Sequence, residues 1–278
     1  MKVHHLNCAT LCPPAGRFLT GNSSGRLPGT LVCHCLLIET ESGLVLVDTG
    51  LGLEDIREPV RRLGRRNRWV LGAALDPEET AVHHVSRLGF TREDVQHIVM
   101  THLDVDHAGG MSDFPDATVH LYRPEARLIQ EPLRGRDRKR YRAVQWKHRP
   151  KVEAYDLSGE RFYGFEAVRQ LRGLPPEVLL VPLAGHSEGH CGVAVERSDG
   201  WLFHAGDAYM HRNALQEPPG PAPLYEKIID RFNGWDQSQT EANRRRLRTL
   251  ANDPEARVRI VCSHDPEEFL ACCQNGGT

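Results

Sequence analysis

Two histidines and two aspartates crowd into the ten residues Thr101-His102-Leu103-Asp104-Val105-Asp106-His107-Ala108-Gly109-Gly110, directly after the apolar run Ile98-Val99-Met100. The apolar run predicts a buried strand, so the polar stretch would form the loop at its end, where ligands commonly lie. In an extended segment residues two apart point the same way, so His102 and Asp104 can face one metal ion. A short helix after them would aim Asp106 and His107 at a second ion. The spacing therefore predicts a two-metal site.

Three further ligand-type residues, His186, Asp207 and His264, each stand a few residues beyond an apolar, strand-like run. At such a position rigid backbone meets solvent, and the Asp207 carboxylate can bridge two cations. Because these residues lie far apart in sequence, one site requires both halves of the chain to fold together, as a single domain over residues 1–278. The predicted ligand set is His102, Asp104, Asp106, His107, His186, Asp207 and His264.

The order of these motifs resembles the metallo-β-lactamase fold superfamily, whose usual signature is His-x-His-x-Asp-His, then a lone His, a bridging Asp and a final His. Leu44-Val45-Leu46-Val47-Asp48-Thr49-Gly50 is similar to the family's first motif, in which the Asp supports the metal loop. The resemblance agrees with strands that precede ligand loops and helices that separate them. It implies an α/β fold, the four-layer αββα sandwich of two mixed sheets with helices outside.

The likeness is sharper toward the N-acyl homoserine lactonase branch, through Pro14-Ala15-Gly16-Arg17 and Ser263-His264-Asp265. It implies a metal-dependent hydrolase that uses an activated water to open a small carbonyl ester, most simply a lactone. The first ion would be held by His102, Asp104, His186 and Asp207, and the second by Asp106, His107, His264 and the shared Asp207. Asp106 is the candidate proton carrier, and Tyr209 or His211 the candidate group that steadies the oxyanion.

Asp104 departs from the family pattern, which has His at this position. A carboxylate adds negative charge and a hard oxygen ligand, which moves metal preference toward iron or manganese. We expect two divalent ions, zinc first, with iron or manganese as the alternatives; a further alternative is that Asp104 does not ligate. A carboxylate here also resembles the flavodiiron branch, but only 14 residues follow His264 (278 minus 264), too few for the flavodoxin domain of that branch.

Other functions of the same fold stay open at this point. Thioester or phosphodiester hydrolysis would use the same ions, and a non-hydrolytic metal or redox protein with an iron-type site is suggested by Asp104 and by the cysteines. Cys8, Cys12, Cys33 and Cys35 cluster near the N-terminus. They lack a Cys-x-x-Cys pair, and free cysteine packs as a small hydrophobe, so packing is the preferred interpretation.

A basic segment from Arg134 to Arg149 contains eight Lys or Arg residues and one Asp, with Tyr141 and Trp146 among them. It falls within an expected insertion or lid around residues 130–165. The segment could attract an anionic substrate or form a weak nucleic-acid patch. A solvated helical face is the preferred interpretation.

Composition limits the remaining classes. The formal net charge of −2 gives no general argument for nucleic acid, and no apolar run has the length of a membrane span. Eight cysteines without a secretory leader favour a reducing, cytoplasmic location. The expected partner is a small-molecule ester or lactone, and the oligomeric state is left undetermined.

Overall fold

The computed structural model describes residues 1–21, 29–156 and 160–275, and all side chains in these ranges except those of residues 17, 19, 160, 166–169 and 275. The side chain of Arg17, in the predicted Pro14–Arg17 motif, therefore lies outside the described residues. Two six-stranded sheets follow the order of the chain. The first contains β1 (Lys2–Leu11), β2 (Leu31–Thr40), β3 (Gly43–Val47), β4 (Val95–Val99), β5 (Thr118–Tyr122) and β6 (Lys151–Tyr155). The second contains β7 (Glu160–Phe162), β8 (Phe165–Gln170), β9 (Val178–Pro182), β10 (Cys191–Arg197), β11 (Gly200–His204) and β12 (Val258–Val261).

Helices connect these strands and cover the outer faces of the sheets. The α-helices are α1 (Gly16–Leu19), α2 (Leu53–Arg57), α3 (Pro59–Arg62), α4 (Gly64–Leu71), α5 (Ala81–Arg87), α6 (Val105–Ala108), α7 (Arg123–Gln130), α8 (Asp137–Arg140), α9 (Leu224–Phe232), α10 (Gln237–Ala251) and α11 (Pro266–Asn275). Short 3-10 helices span Pro77–Glu79, Arg92–Asp94, Gly109–Asp113, Ala143–Trp146 and Arg212–Leu215. Within the described ranges no helix combines the length and the apolar character that crossing a membrane requires.

Both sheets are mixed. In the first sheet the pairs β3–β4, β4–β5 and β5–β6 are parallel, whereas β1–β2 and β2–β3 are antiparallel. Among the described strands of the second sheet, β11–β12 is parallel and the other neighbouring pairs are antiparallel.

Alternating apolar residues in the strands explain the layers. In β2, Leu36 and Ile38 pack against Val193 and Val195 of β10 and fill the space between the two sheets. Leu37 points to the opposite face and joins a core under the helices. Side chains in a strand alternate between faces, so a strand that is apolar throughout must be covered on both sides. The predicted αββα sandwich is confirmed.

The second sheet is covered in the same way by α10. Asp236 caps this helix by accepting hydrogen bonds from the backbone N–H groups of Ser238 (2.8 Å) and Gln239 (3.1 Å). Leu247 and Leu250 are buried against the outer face of the sheet. A mostly polar helix therefore covers the second sheet through an inward face that includes Leu247 and Leu250.

The strand directions bring the ligand loops to one edge of the sandwich. β3 and β4 are parallel, so Asp48 and the loop that begins after Val99 leave the first sheet on the same side. β9 is antiparallel to β10, which is antiparallel to β11, so β9, β11 and β12 all run the same way. The loops that carry His186, Asp207 and His264 consequently emerge together.

Candidate metal centre

The first group of ligand-type atoms surrounds Asp104 and Asp207. Asp104 Oδ2 lies 3.0 Å from His186 Nε2 and 3.3 Å from His102 Nε2. Asp207 Oδ2 lies 3.6 Å from His186 Nε2 and 3.9 Å from His102 Nε2. The side chains of His102 and His186 are buried, so these atoms meet in a largely dry site.

A second group lies on the other side of Asp207. His107 Nε2 is 3.4 Å from Asp207 Oδ1, and His264 Nε2 is 3.2 Å from Asp207 Oδ2. Asp106 Oδ2 completes the group at 3.7 Å from His264 Nε2 and 4.0 Å from His107 Nε2. Asp207 therefore stands between two imidazole pairs, which is the position a bridging carboxylate would need.

These distances fit metal coordination. Ligand atoms at about 2.0–2.1 Å from a tetrahedral ion are about 3.4 Å from one another. The separations within both groups range from 3.0 to 4.0 Å. His102 Nε2, His107 Nε2 and Asp207 Oδ1 are buried and have no hydrogen-bond partner in the part of the chain that the structure describes. Buried polar atoms in proteins nearly always have a partner, so three buried atoms without one need an explanation. Divalent cations bound between them would provide it.

Three of the four imidazole rings in the cluster are oriented from outside the site. His264 Nδ1 donates to the carbonyl of Val32 (2.8 Å), and His107 Nδ1 donates to Asp48 Oδ2 (2.8 Å). Thr101 Oγ1 donates to Asp48, so it accepts from His102 Nδ1 at 2.9 Å. Each bond fixes the tautomer that leaves the Nε2 lone pair toward the centre.

Asp48 is the main support of the loop after β4. It adopts a positive φ of 56°, a conformation that Asp tolerates better than most residues. Oδ1 accepts from the backbone N–H of Thr101 at 2.8 Å, while Oδ2 holds His107. The contacts match the supporting role expected for Asp48.

Two further residues, His190 and Glu125, hold the other loops. His190 Nε2 accepts from the backbone N–H of Asp207 (2.9 Å) and its Nδ1 donates to the carbonyl of Leu183 (3.0 Å). Glu125 of α7 accepts from the backbone N–H of Leu103 (3.1 Å) and contacts the Ser187 hydroxyl. Glu125 thereby links the loop after β4 with the loop after β9. No local motif marked it.

Charge at the centre is strongly biased toward the anionic form of the carboxylates. Burial alone would raise the pKa of Asp207, but the neighbouring charges of His264 and His107 hold that pKa well below its usual range. Burial would lower the pKa of His107, yet Asp207, Asp48 and Asp106 hold it well above the ordinary value. The site therefore favours positive charge between its carboxylates, as divalent ions would supply.

Asp104 has a partner that the sequence did not suggest. Arg140 Nε donates to Asp104 Oδ1 (2.7 Å) and Arg140 Nη2 donates to Asp104 Oδ2 (2.6 Å). Burial would raise the pKa of the Asp104 carboxyl, but Arg140 is foremost among the groups that hold it well below its usual range. The basic segment is thus not only a solvated surface, because one of its arginines reaches the ligand cluster.

The cluster opens into a small cavity of about 40 Å³. Its wall contains Asp106, Asp207 and Tyr225, and its apolar part consists of Leu11, Leu31, Leu71, Met210 and Ile229. An adjoining space of about 60 Å³ is lined by α4, Lys139 and Arg140. A larger groove of about 770 Å³ runs along the first residues of β1, but none of the seven predicted metal ligands lines it.

Tyr209 and His211 do not fit their predicted role. Tyr209 is buried in the outer core of the second sheet, and its hydroxyl donates to the Glu268 carboxylate at 3.1 Å. His211 Nδ1 accepts from the backbone N–H of Asn213 (3.2 Å) at the start of a 3-10 helix. Neither residue lines the cavity. The sequence indicated a phenol after Asp207, whereas tertiary packing brings in Tyr225 from α9.

The cysteines are free thiols; all eight fall within the described ranges. Cys33 is packed in a hydrophobic core, as expected, and its sulfur also lies within 4.8 Å of ligand atoms of Asp106 and His264. Burial, followed by the charge of Asp106, raises the pKa of this thiol well above its usual value, so it stays protonated at neutral pH. Cys8 and Cys35 belong to the core, as expected.

The whole chain has recognisable relatives. The sequence model of the metallo-beta-lactamase superfamily matches residues 28–264. A probable metallo-hydrolase of Mycobacterium tuberculosis is 39% identical, over 97% of this chain and 82% of the relative. An N-acyl homoserine lactonase of Bacillus cereus is 26% identical, over 93% of this chain and 94% of the relative.

Solved structures agree in fold. An N-acyl homoserine lactone hydrolase with N-hexanoyl-L-homoserine bound at its catalytic metal centre superimposes with a TM-score of 0.70 and 21% identity, covering 98% of this chain and 96% of the other. A dizinc quorum-quenching lactonase gives a TM-score of 0.61 at 16% identity, covering 95% of this chain and 87% of the other. At these identities the similarity concerns the fold.

Proposed function

This chain belongs to the metallo-beta-lactamase superfamily, and from that premise we propose that it is a metal-dependent hydrolase that opens a lactone of the acyl homoserine lactone class. The observation that carries the proposal is the Asp207 carboxylate between two imidazole pairs, with the Nε2 atoms of His107 and His264 within 3.4 Å of it. The lactonase relatives, which align over nearly the whole chain, support the substrate class.

His102, Asp104, His186 and Asp207 would hold the first ion, and Asp106, His107, His264 and Asp207 the second. When bound, two divalent ions supply an activated water near neutral pH and polarise a carbonyl oxygen. Zinc suits the histidine-rich donor set, with iron or manganese as alternatives favoured by the extra carboxylate.

Asp106 would carry the proton. Its carboxylate faces the cavity and lies 3.7 Å from His264 Nε2, so it can hold a proton beside the reacting carbonyl and release it to the leaving alkoxide. An Asp106→Asn variant that retained its metal and full turnover would remove Asp106 from this path.

Tyr225 would orient the substrate in place of Tyr209. The Tyr225 side chain is buried in the cavity wall. Burial, together with the charges of Asp106 and Asp207, raises the pKa of its phenol, so the hydroxyl keeps its proton. A protonated phenol can donate a hydrogen bond to the developing oxyanion. We expect Tyr225→Phe to lower kcat at least about 10-fold with unchanged metal content.

The cavity walls favour an acyl substrate. Leu11, Leu31, Met210 and Ile229 present apolar surface beside Asp106. An acyl chain would bury its methylene groups there, while the lactone carbonyl would lie over the ligand cluster.

The test uses purified protein of measured metal content on matched lactone, thioester, phosphodiester and β-lactam substrates. We expect the lactone to have the highest kcat/KM, activity to be lost with a chelator, and zinc to restore it. Protein with two bound ions that prefers another ester class, or hydrolyses none of them, would refute the lactonase assignment. The thioester and phosphodiester arms distinguish the alternative hydrolases, and absent turnover would favour a metal-binding role.

A further inference from the structure

Arg140, at the end of α8, is the residue of the basic segment that contacts the ligand cluster. The planar guanidinium makes a two-bond contact with the Asp104 carboxylate, at 2.7 Å to Oδ1 and 2.6 Å to Oδ2. Such paired hydrogen bonds fix a carboxylate in both position and rotation. The side chains of Arg140 and Asp104 are only 10% and 14% exposed, so solvent screens the contact weakly.

Arg140 is itself held by two backbone carbonyls. Nη1 donates to the carbonyl of His186 at 2.8 Å and to that of Asn233 at 2.7 Å. Asn233 caps the end of α9, where carbonyl groups lack partners within the helix. Arg140 therefore connects the loop after β4, the loop after β9 and the end of α9 around Asp104.

The Asp104 carboxylate is oriented so that Oδ2 faces both imidazoles of the first site. Oδ1 contacts Arg140, whereas Oδ2 contacts Arg140 and also faces His186 Nε2 at 3.0 Å and His102 Nε2 at 3.3 Å. These two distances are close to the separation of about 3.4 Å between neighbouring ligand atoms of a tetrahedral zinc site. Oδ2 is thus oriented as one corner of the first ion's site.

Charge explains why a guanidinium is needed there. Asp104, Asp106 and Asp207 place three carboxylates at one centre, and like charges in a buried site repel one another. Arg140 cancels the charge of Asp104, so that the pair presents an oxygen donor with no net charge. A lone carboxylate would be free to rotate and would be repelled by Asp207.

We propose that Arg140 is the positioning residue of the first metal site, and that Arg140 and Asp104 act as one neutral ligand unit in place of a single imidazole. This inference rests on the proposed metal centre and deepens it. It makes the occupancy of the first site depend on a residue outside every ligand motif.

The experiment titrates metal-free protein with zinc in competition with a chromophoric chelator, and needs no substrate. The wild-type protein should bind two ions. Arg140→Met should retain one ion and bind the other at least about 10-fold more weakly, as is typical when an outer partner of a ligand is lost. Arg138→Met, on the same helix but exposed, is the matched control and should titrate like the wild type.

The double variant Asp104→His/Arg140→Met separates positioning from general support. A neutral imidazole at position 104 needs no counter-charge, so its zinc affinities should return to within about 3-fold of the wild type. If Arg140 served only to join His186 and Asn233, the double variant would stay as weak as the single one. Tighter or unchanged zinc binding by Arg140→Met would also overturn the inference.

Folding and function are read separately. Thermal unfolding of the metal-free variants identifies any that fail to fold. If Arg140→Met fails to fold, Arg140→Lys replaces it, because lysine keeps the positive charge but cannot make the paired contact with the Asp104 carboxylate. Arg140→Lys should then bind the first ion at least about 3-fold more weakly than the wild type. Equal binding by Arg140→Lys would contradict the proposal. Two bound ions without lactone turnover would refute the lactonase assignment and leave the Arg140–Asp104 unit intact.

Discussion

The two halves of the ligand cluster are built differently. In the second half, the rings of His107 and His264 are each fixed by an oxygen acceptor, Asp48 and the carbonyl of Val32. In the first half, Asp104 is fixed by the guanidinium of Arg140, which arrives from another part of the chain. The second half is thus held by the loop residue Asp48 and by a carbonyl within β2. The other depends on a charge pair assembled by tertiary contacts, so we expect the halves to respond differently to mutation.

Asp207 is the residue that the halves share, and its replacement should have the largest effect. Asp207→Asn keeps the shape but removes the charge between the two imidazole pairs, so both ions should be lost and turnover should fall more than about 100-fold, since outer partners alone cost up to that amount. Metal analysis and kcat/KM measure this. Asp253→Asn, at an exposed turn, is the control, and retention of two ions by Asp207→Asn would contradict the shared position.

Asp48 tests mainly the second half, because it contacts His107 directly but reaches His102 only through Thr101. Asp48→Asn presents an amide N–H to His107 or to Thr101, both of which donate to the present carboxylate. The ring of His107 would lose its orientation, and we expect the second ion to bind about 10- to 100-fold more weakly, while the first ion is weakened less because Asp48 acts on His102 only through Thr101. Zinc titration checks the outcome. Equal weakening of both ions would show that the halves are not independent.

Glu125 lies behind both loops and should make their stability depend on pH. Burial raises its pKa to about 7 from 4.5, so the folded state retains a proton that the unfolded chain has released. The stabilising contribution of protonated Glu125 is fully present below pH 4.5 and is lost as the pH rises toward 7. Between these two pH values the free energy of unfolding should fall by about 3 kcal/mol. Glu125→Gln should abolish this difference in the unfolding free energy of metal-free protein measured between pH 5 and pH 8. The exposed Glu41→Gln is the control; a Glu125→Gln profile parallel to the wild type would contradict the prediction.

The smallest effect on turnover is expected at Tyr209. Its hydroxyl donates to Glu268 away from the cavity, so Tyr209→Phe should cost about 1 kcal/mol of stability through the lost hydrogen bond and change kcat less than about 2-fold. Denaturant unfolding and steady-state kinetics measure both. A kcat loss as large as that of Tyr225→Phe would restore Tyr209 as a substrate contact.

Much of the fold was predictable because its signals are local. The apolar residues of β2 alternate between two cores, and Asp236 starts α10 as a capping residue should. Strand ends beside His or Asp likewise marked the ligand loops. Tyr209 was chosen by its distance in sequence from Asp207, and that distance says nothing about which way the side chain turns after the loop.

On its own, the sequence marked the strand ends that carry the ligands, because strand periodicity and loop position are properties of neighbouring residues. The resemblance of its motifs to a known family implied the sandwich and the supporting role of Asp48. Tyr225, Cys33, Glu125 and Arg140 joined the centre only through tertiary packing. Their contacts span tens to more than a hundred residues of sequence, and electrostatic pairing at such separations leaves no periodic trace. The sequence alone showed the carboxylate at position 104. Its partner Arg140 was identified only from the tertiary structure, because the packing of α8 against the ligand loops brings the two side chains together.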